Sequence, residues 1–193
     1  MRFGLFLLLL LAGPLLGAEA VPSRVHVEAS QDKGVIVVSA RYTPPVSRAL
    51  AFEVLTDYER MSEFVPGMRM SRITGREGRT LRVSQQGSYQ YGVISLTIDS
   101  RHLIELRAPD EIVSRALDTS NGDYQSTTRL QQLDDATAIE FRAVWQPTNA
   151  LLASLGSAAV REQVRSQLEG LQLEMLRRAQ RAASLKAEAQ AAR

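Results

Sequence analysis

The sequence predicts an α+β fold in which a curved antiparallel β-sheet wraps around one long C-terminal helix. Three observations carry that expectation. Strand-like segments separated by short turn-rich breaks fill the stretch from Arg69 to Trp145. Nothing then interrupts the helical pattern from Asn149 to about Arg181, and a helix of that length reaches across a whole sheet. Two short helical segments stand between the first strands and the main run.

Taken in order, residues 1–20 form a separate unit. Arg2 gives a small positive start, Phe3 to Leu16 is almost wholly apolar, and Ala18-Glu19-Ala20 has the small-x-small pattern of a signal-peptidase site. The apolar run is too short for the roughly 20 residues that span a bilayer, so a cleaved export signal is expected in preference to a retained anchor. The domain then occupies residues 21–181, and the alanine-rich stretch 182–193 is expected to fray.

Val25 to Glu28 and Val35 to Arg41 read as two strands joined by the turn residues Gln31-Asp32-Lys33-Gly34. Thr43-Pro44-Pro45 predicts a helix start, with Thr43 as N-cap. Val46, Ala49, Leu50, Phe52 and Leu55 supply its apolar side. Thr56-Asp57-Tyr58-Glu59 fits a capping box opening a second short helix, which Pro66-Gly67 ends.

The strands expected next are Met70 to Thr74, Thr80 to Gln86, Tyr91 to Leu106, Glu111 to Asp118, Tyr124 to Leu133 and Thr137 to Trp145. Gly75 to Gly78, Gly87-Ser88, Pro109-Asp110, Asn121-Gly122 and Asp134-Asp135 punctuate them. In the longest strand Ile94, Leu96, Ile98, Ile104 and Leu106 share one face, interrupted by Ser100 and His102. In the last, Ile139, Phe141, Ala143 and Trp145 point one way and Glu140 and Arg142 the other. Short connections imply a meander of antiparallel neighbours. On the long helix, steps of about 100° place Ala153, Ser157, Val160, Val164, Leu168, Leu171 and Met175 on one stripe.

Composition narrows the function. The 193 residues suit one domain, and 45% hydrophobic content suffices for a core. Basic and acidic residues nearly balance, 23 against 21, and no run of five or six like charges occurs. A nucleic-acid partner is therefore not expected. The absence of cysteine removes disulfides, thiolate metal sites and thiol nucleophiles. His26 and His102 lie far apart in sequence, so neither a zinc site nor any other cofactor is expected. No Gly-x-Ser-x-Gly and no phosphate-cradling glycine loop is present.

Phe52-Glu53-Val54-Leu55-Thr56-Asp57-Tyr58-Glu59-Arg60 followed by Phe64-Val65-Pro66-Gly67 resembles the first helical segment of the polyketide cyclase/START-like superfamily. Gly122-Asp123-Tyr124, Thr137-Ala138-Ile139-Glu140-Phe141 and Trp145-Gln146-Pro147 are similar to the late strands of its coenzyme-Q-binding branch. The likeness runs from about Val35 to Gln180. It implies a helix-grip fold with a cavity between sheet and long helix, of the kind that in different members holds lipids, quinones, sterols or polyketides. That branch often carries a tryptophan in the strand after the Gly-Asp-aromatic turn. Here Thr127 and Thr128 stand in that region, a change that would enlarge or reshape the pocket.

The expected ligand-lining set is Ile98, His102, Phe141, Trp145, Ala153, Ser157, Val160 and Val164. No residue is assigned a catalytic or metal-ligating role. His102 would hydrogen-bond a ligand carbonyl or act as a general base; as a structural residue it would sit near a strand end and satisfy a neighbour or water. Asp57 and Glu59 are accounted for by the capping box. Arg129 and Arg142 could reach a ligand headgroup, although alternation turns Arg142 to solvent. Tyr89, Tyr91 and Tyr124 suit a pocket mouth. The small residues at the start of the helical stripe, Ala153 and Ser157, would leave a cavity or else allow close helix–sheet approach. Leu151 and Leu155, on the other side, could meet a membrane surface transiently, a partner, or the ligand path.

The function these readings favour is binding of a hydrophobic small molecule, such as a lipid, quinone or related isoprenoid, for transport or sequestration by an exported, periplasmic or secreted protein. Two alternatives stand beside it: an aromatase/cyclase-type enzyme with Arg, Tyr or His converging on the cavity, and an envelope protein-interaction module. Neither ligand identity nor oligomeric state is set by the sequence.

Overall fold

Lys33 and Gly34 both take positive φ, 47° and 81°. Two consecutive positive values match the right-handed twist of a tight hairpin, and the expected first hairpin forms around them: β1 (His26–Asp32) pairs antiparallel with β2 (Val35–Tyr42). The computed structural model describes residues 22–91, 94–118, 121–148 and 156–192. The signal-like segment 1–20, and Leu151, Ala153 and Leu155, lie outside them.

The next helix starts later than expected. α1 spans Arg48–Leu55, and its N-cap is Ser47, whose Oγ accepts the Leu50 N–H at 3.3 Å. Thr43 and Pro44 each precede a proline, which disfavours helical backbone at both. That stretch serves the sheet instead: the Pro44 carbonyl accepts the Thr137 N–H at 3.1 Å, and the Thr137 hydroxyl donates to the Val46 carbonyl at 2.8 Å. The expected capping box is also corrected. Thr56 closes α1, its hydroxyl donating back to the Phe52 carbonyl at 2.8 Å, so it does not open a new helix. A 3-10 turn (Tyr58–Arg60) and α2 (Met61–Phe64) follow, and the Glu59 carboxylate accepts the Ile73 N–H at 2.9 Å.

The sheet continues with β3 (Met68–Glu77), β4 (Thr80–Tyr91), β5 (Ile94–Arg107), β6 (Glu111–Ala116), β7 (Asp123–Gln132) and β8 (Thr137–Gln146). Its order is β1-β2-β8-β7-β6-β5-β4-β3, antiparallel throughout. Gly87-Ser88 is not a turn. The Ser88 N–H donates to the Gly67 carbonyl at 2.7 Å on one side and Gly87 pairs with Ile98 on the other, so hydrogen bonding along both edges keeps that pair extended.

α3 runs over Gly156–Ala191, 36 residues and about 54 Å long. The expected start at Asn149 lies outside the described residues; at the other end α3 continues past Arg181, so the stretch expected to fray is helical as far as Ala191. α3 packs against β1, β2 and α1. Met175, Leu176, Leu171 and Leu168 join Val27, Ile36, Val38, Val54 and Ile139 in one core. No helix of the described residues is long and apolar enough to cross a membrane.

Three contacts fix α3 to the segments that flank the sheet. Gly170 lies under the α2–β3 connection, where a Cβ would stand 2.5 Å from both the Phe64 carbonyl oxygen and Pro66 Cδ. Gln172 is buried and clasps the N-terminal segment: the Ser23 hydroxyl donates to its Oε1 at 2.6 Å, and its Nε2 donates to the Ser23 carbonyl at 2.8 Å. Arg178 donates to Glu174 at 2.7 Å, to Glu53 at 2.9 Å and to Asp57, with its guanidinium 5.7 Å from the centre of the Phe64 ring. Asp57 is thus a partner of α3 rather than a capping residue.

Candidate functional site

Cross-strand register sorts the concave face of the sheet into rows. Tyr42, Ile139 and Leu130 stand abreast and are all buried, making one row of solid core. The neighbouring row holds Ala40, Phe141, Thr128 and Ile112. The one after it holds Val38, Ala143, Ser126, Ser114 and Ile104, small at its centre. Beyond it come Ile36, Trp145 and Tyr124, while His102 stands between Val83 and Ala116. Small side chains in mid-sheet cannot reach a helix held off by bulkier rows, and close packing fails there.

The result is a cavity of about 410 Å³ between the sheet and α3. The helix contributes Ala159, Val160, Gln163, Val164, Gln167, Leu168 and Leu171, and the α1–α2 segment closes one side with Leu55, Tyr58, Met61 and Val65. Leu168 and Leu171 are buried, whereas Ala159, Gln163 and Trp145 are half-buried, so the cavity grows more exposed toward the start of α3. Most of its wall is hydrocarbon or aromatic.

Of the residues expected to line a pocket, Ile98, His102, Phe141, Trp145, Val160 and Val164 do so together. Ser157 does not. Ser157 stands in the first described turn of α3, one turn outward from Val160, and is half-buried there. Ala159 supplies the small residue at the wall. Ala153 lies outside the described residues, as do the side chains of Tyr89, Tyr91, Ile94 and Leu96. Arg142 is exposed, and Arg129 reaches Glu111 at 2.9 Å, so neither guanidinium is in the cavity. Thr128 is at the wall.

His102 is mid-strand rather than near a strand end. Its Nδ1 is buried with no hydrogen-bond partner among the described residues, and its ring meets Tyr124 edge-on, centroids 5.4 Å apart. Burial pushes its pKa below the ordinary histidine value, opposed by the Asp118 carboxylate, so the site favours the neutral ring. Asp118 in turn accepts from Arg101 Nε at 2.8 Å. Burial raises the Tyr58 phenol well above its usual range, with Tyr124 adding to the effect. The Gln85 amide donates to the Ser71 hydroxyl at 3.2 Å. Trp145 Nε1 donates to the Asn121 carbonyl at 2.9 Å, and Gly122 holds the same corner: at φ 106° a Cβ there would collide with the Gln146 carbonyl oxygen.

Sequence reasoning missed the α1–α2 wall and the serines. Leu55, Tyr58, Met61 and Val65 recur at helical spacing, a signal obscured by taking Thr56 to Glu59 as a capping box. Ser114 and Ser126 are absent from the expected lining set, although their strand phase places them inward.

Comparison with known proteins agrees with this architecture. The family described as polyketide cyclase/dehydrase and lipid transport matches residues 44–172. A solved protein of Thermus thermophilus is similar, with 18% identity and a TM-score of 0.65, over 74% of this chain and 98% of that one. So is a STAR-related lipid transfer protein from Xanthomonas axonopodis, with 13% identity and a TM-score of 0.62, over 77% of this chain and 98% of that one. The Zhui aromatase/cyclase from a Streptomyces species shares 19% identity at a TM-score of 0.62, over 75% and 96% respectively. At these identities the likeness is one of fold, the START-like helix-grip. Among curated proteins none matches in sequence.

Proposed function

This chain belongs to the polyketide cyclase/dehydrase and lipid transport family, and from that premise we propose that it reversibly binds a hydrophobic small molecule, a lipid, quinone or related isoprenoid, for transport or sequestration in the cell envelope. The observation that carries the reading is the apolar cavity of about 410 Å³ between sheet and helix, within the roughly 300–1,000 Å³ of small-molecule pockets. Burial of ligand hydrocarbon at roughly 25 cal/mol per Å² would supply affinity, and a few polar groups would set orientation. Native mass spectrometry of the purified protein, followed by solvent extraction, tests it. A co-purifying lipid or quinone is the expected result, and a protein that carries none and takes up none that is offered would overturn it.

Export is part of the same proposal and rests on residues 1–20. N-terminal sequencing of the envelope fraction should begin at Val21, and intact Met1 in a membrane pellet would replace the signal with an anchor. A second reading, an aromatase/cyclase-type enzyme, draws support from His102, a half-buried imidazole on the cavity wall whose Nδ1 has no hydrogen-bond partner among the described residues. Turnover of an offered polyketide-like ligand, lost in His102→Ala with binding intact, would put that reading first.

A further inference from the structure

The polar chemistry of the cavity is selective about charge. Among its described wall residues the charged side chains are Arg101 and Asp118, and they engage each other at 2.8 Å. A carboxylate or phosphate carried past that exposed pair would lose its water, and the rest of the described wall holds no cation. An ammonium would likewise find its carboxylate already taken. Neutral groups supply the other polar atoms: serine and threonine hydroxyls, amides, a phenol and the His102 ring.

His102 adds a specific demand. Its Nδ1 is buried without a partner, at the middle of β5 and against the Tyr124 ring. A buried ring nitrogen in that position is costly unless a ligand answers it. A neutral imidazole nitrogen either donates or accepts, depending on its tautomer, and a hydroxyl is the small group that can meet both. The volume, near the lower end of the usual range, suits a single-chain or few-ring molecule better than a two-chain lipid.

We infer that the cavity is built for an uncharged, largely apolar molecule bearing a hydroxyl group, which hydrogen-bonds His102. This rests on the binding function proposed above and specifies its ligand class. Arg101 donates to Asp118 through Nε and its side chain is 67% exposed, so this pair stands in water at the cavity rim, and a headgroup charge carried deeper is a reason for rejection, not for recognition.

The test uses displacement of Nile red, a neutral lipophilic dye, by 1-decanol, decanoate and decane at neutral pH, where decanoate is ionised. Decanol should displace the dye at a concentration at least about tenfold lower than decanoate. In His102→Leu the preference of decanol over decane should shrink by roughly three- to tenfold, the worth of one hydrogen bond, while decane binds as well or better. His102→Asn keeps a polar group at the position and should recover part of that preference, which guards against a misfolded leucine variant. Decanoate binding as tightly as decanol, or an unchanged decanol-to-decane ratio in His102→Leu with Nile red still bound, would overturn the inference. Failure of the dye and of all three ligands to bind the unaltered protein would instead defeat the binding function itself.

Discussion

The Trp145 indole N–H donates to the Asn121 carbonyl oxygen at 2.9 Å, pinning the chain's single tryptophan at the cavity wall. Its ring is half-buried and lies abreast of Tyr124 on one side and Ile36 on the other. A ligand that fills the cavity removes water from around the indole. Titration with an apolar ligand should therefore shift its emission to the blue and saturate with the binding curve. Saturable binding by an independent probe, with emission unmoved, would count against this placement.

Gly170 gives a prediction about stability. Ala is the better helix former by about 1 kcal/mol, so in an open helix Gly170→Ala would stabilise. Here the added methyl would meet the Phe64 carbonyl oxygen and Pro66 Cδ at 2.5 Å, and a backbone atom cannot swing aside. Overpacking of this kind costs about 1–3 kcal/mol, which cancels or exceeds the propensity gain. Denaturant unfolding should show Gly170→Ala no more stable than the parent and up to about 2 kcal/mol less. A clear gain would mean that the α2–β3 connection is not seated on the helix.

Glu174 sets an acid limit. Its carboxyl is held down at about 2, first by hydrogen bonds from Arg177, at 2.6 and 2.7 Å, against the opposing effect of burial, and then by Arg178 at 2.7 Å. A carboxyl lowered on folding contributes stability that is fully present above its unfolded value of 4.5 and is lost as pH falls from there toward 2. Melting temperature should drop across that window. In Glu174→Gln the drop should be shallower, from a lower starting point at neutral pH, because Arg177 and Arg178 lose their shared acceptor. Parallel curves for the two proteins would show that the network adds nothing to acid stability.

The limits of the sequence are visible in particular residues. Period-two alternation along β5 and β8 is enough to bring Ile98, His102, Phe141 and Trp145 to one wall, because a strand's side chains can face only two ways. The stripe on α3 is equally legible, and Val160 and Val164 follow from it. Boundaries are not, because they depend on partners distant in sequence. The Thr43-Pro44-Pro45 start fails because Pro44 must receive Thr137, and the Thr56 box fails because its hydroxyl turns back to Phe52. Arg178 binding Glu53 and Asp57 across more than a hundred residues has no local signature at all. The origin of the cavity is half legible: small residues opposite one another do create it, but they are Ala143, Ser126 and Ser114 on the sheet, with Ala159 on the helix.

That last point decides where a bulky side chain should block binding. Val164 faces the cavity from the third turn of α3, one turn inward from Val160 and one turn outward from buried Leu168. Phenylalanine there would project into the space under the small central row of the sheet. Val164→Phe should therefore abolish Nile red uptake while the melting temperature holds, since a ring that fills a cavity strains nothing. In a filled core the same change would cost about 1–3 kcal/mol and lower the melting temperature instead. Ser157→Phe is the informative neighbour: on the helical stripe alone it is equivalent, but it stands in the first described turn of α3 and does not line the wall. It should leave binding within about twofold, as should Glu162→Phe on the exposed side. A Val164→Phe protein that melts markedly lower yet still takes up the dye would place the binding site away from this helix face.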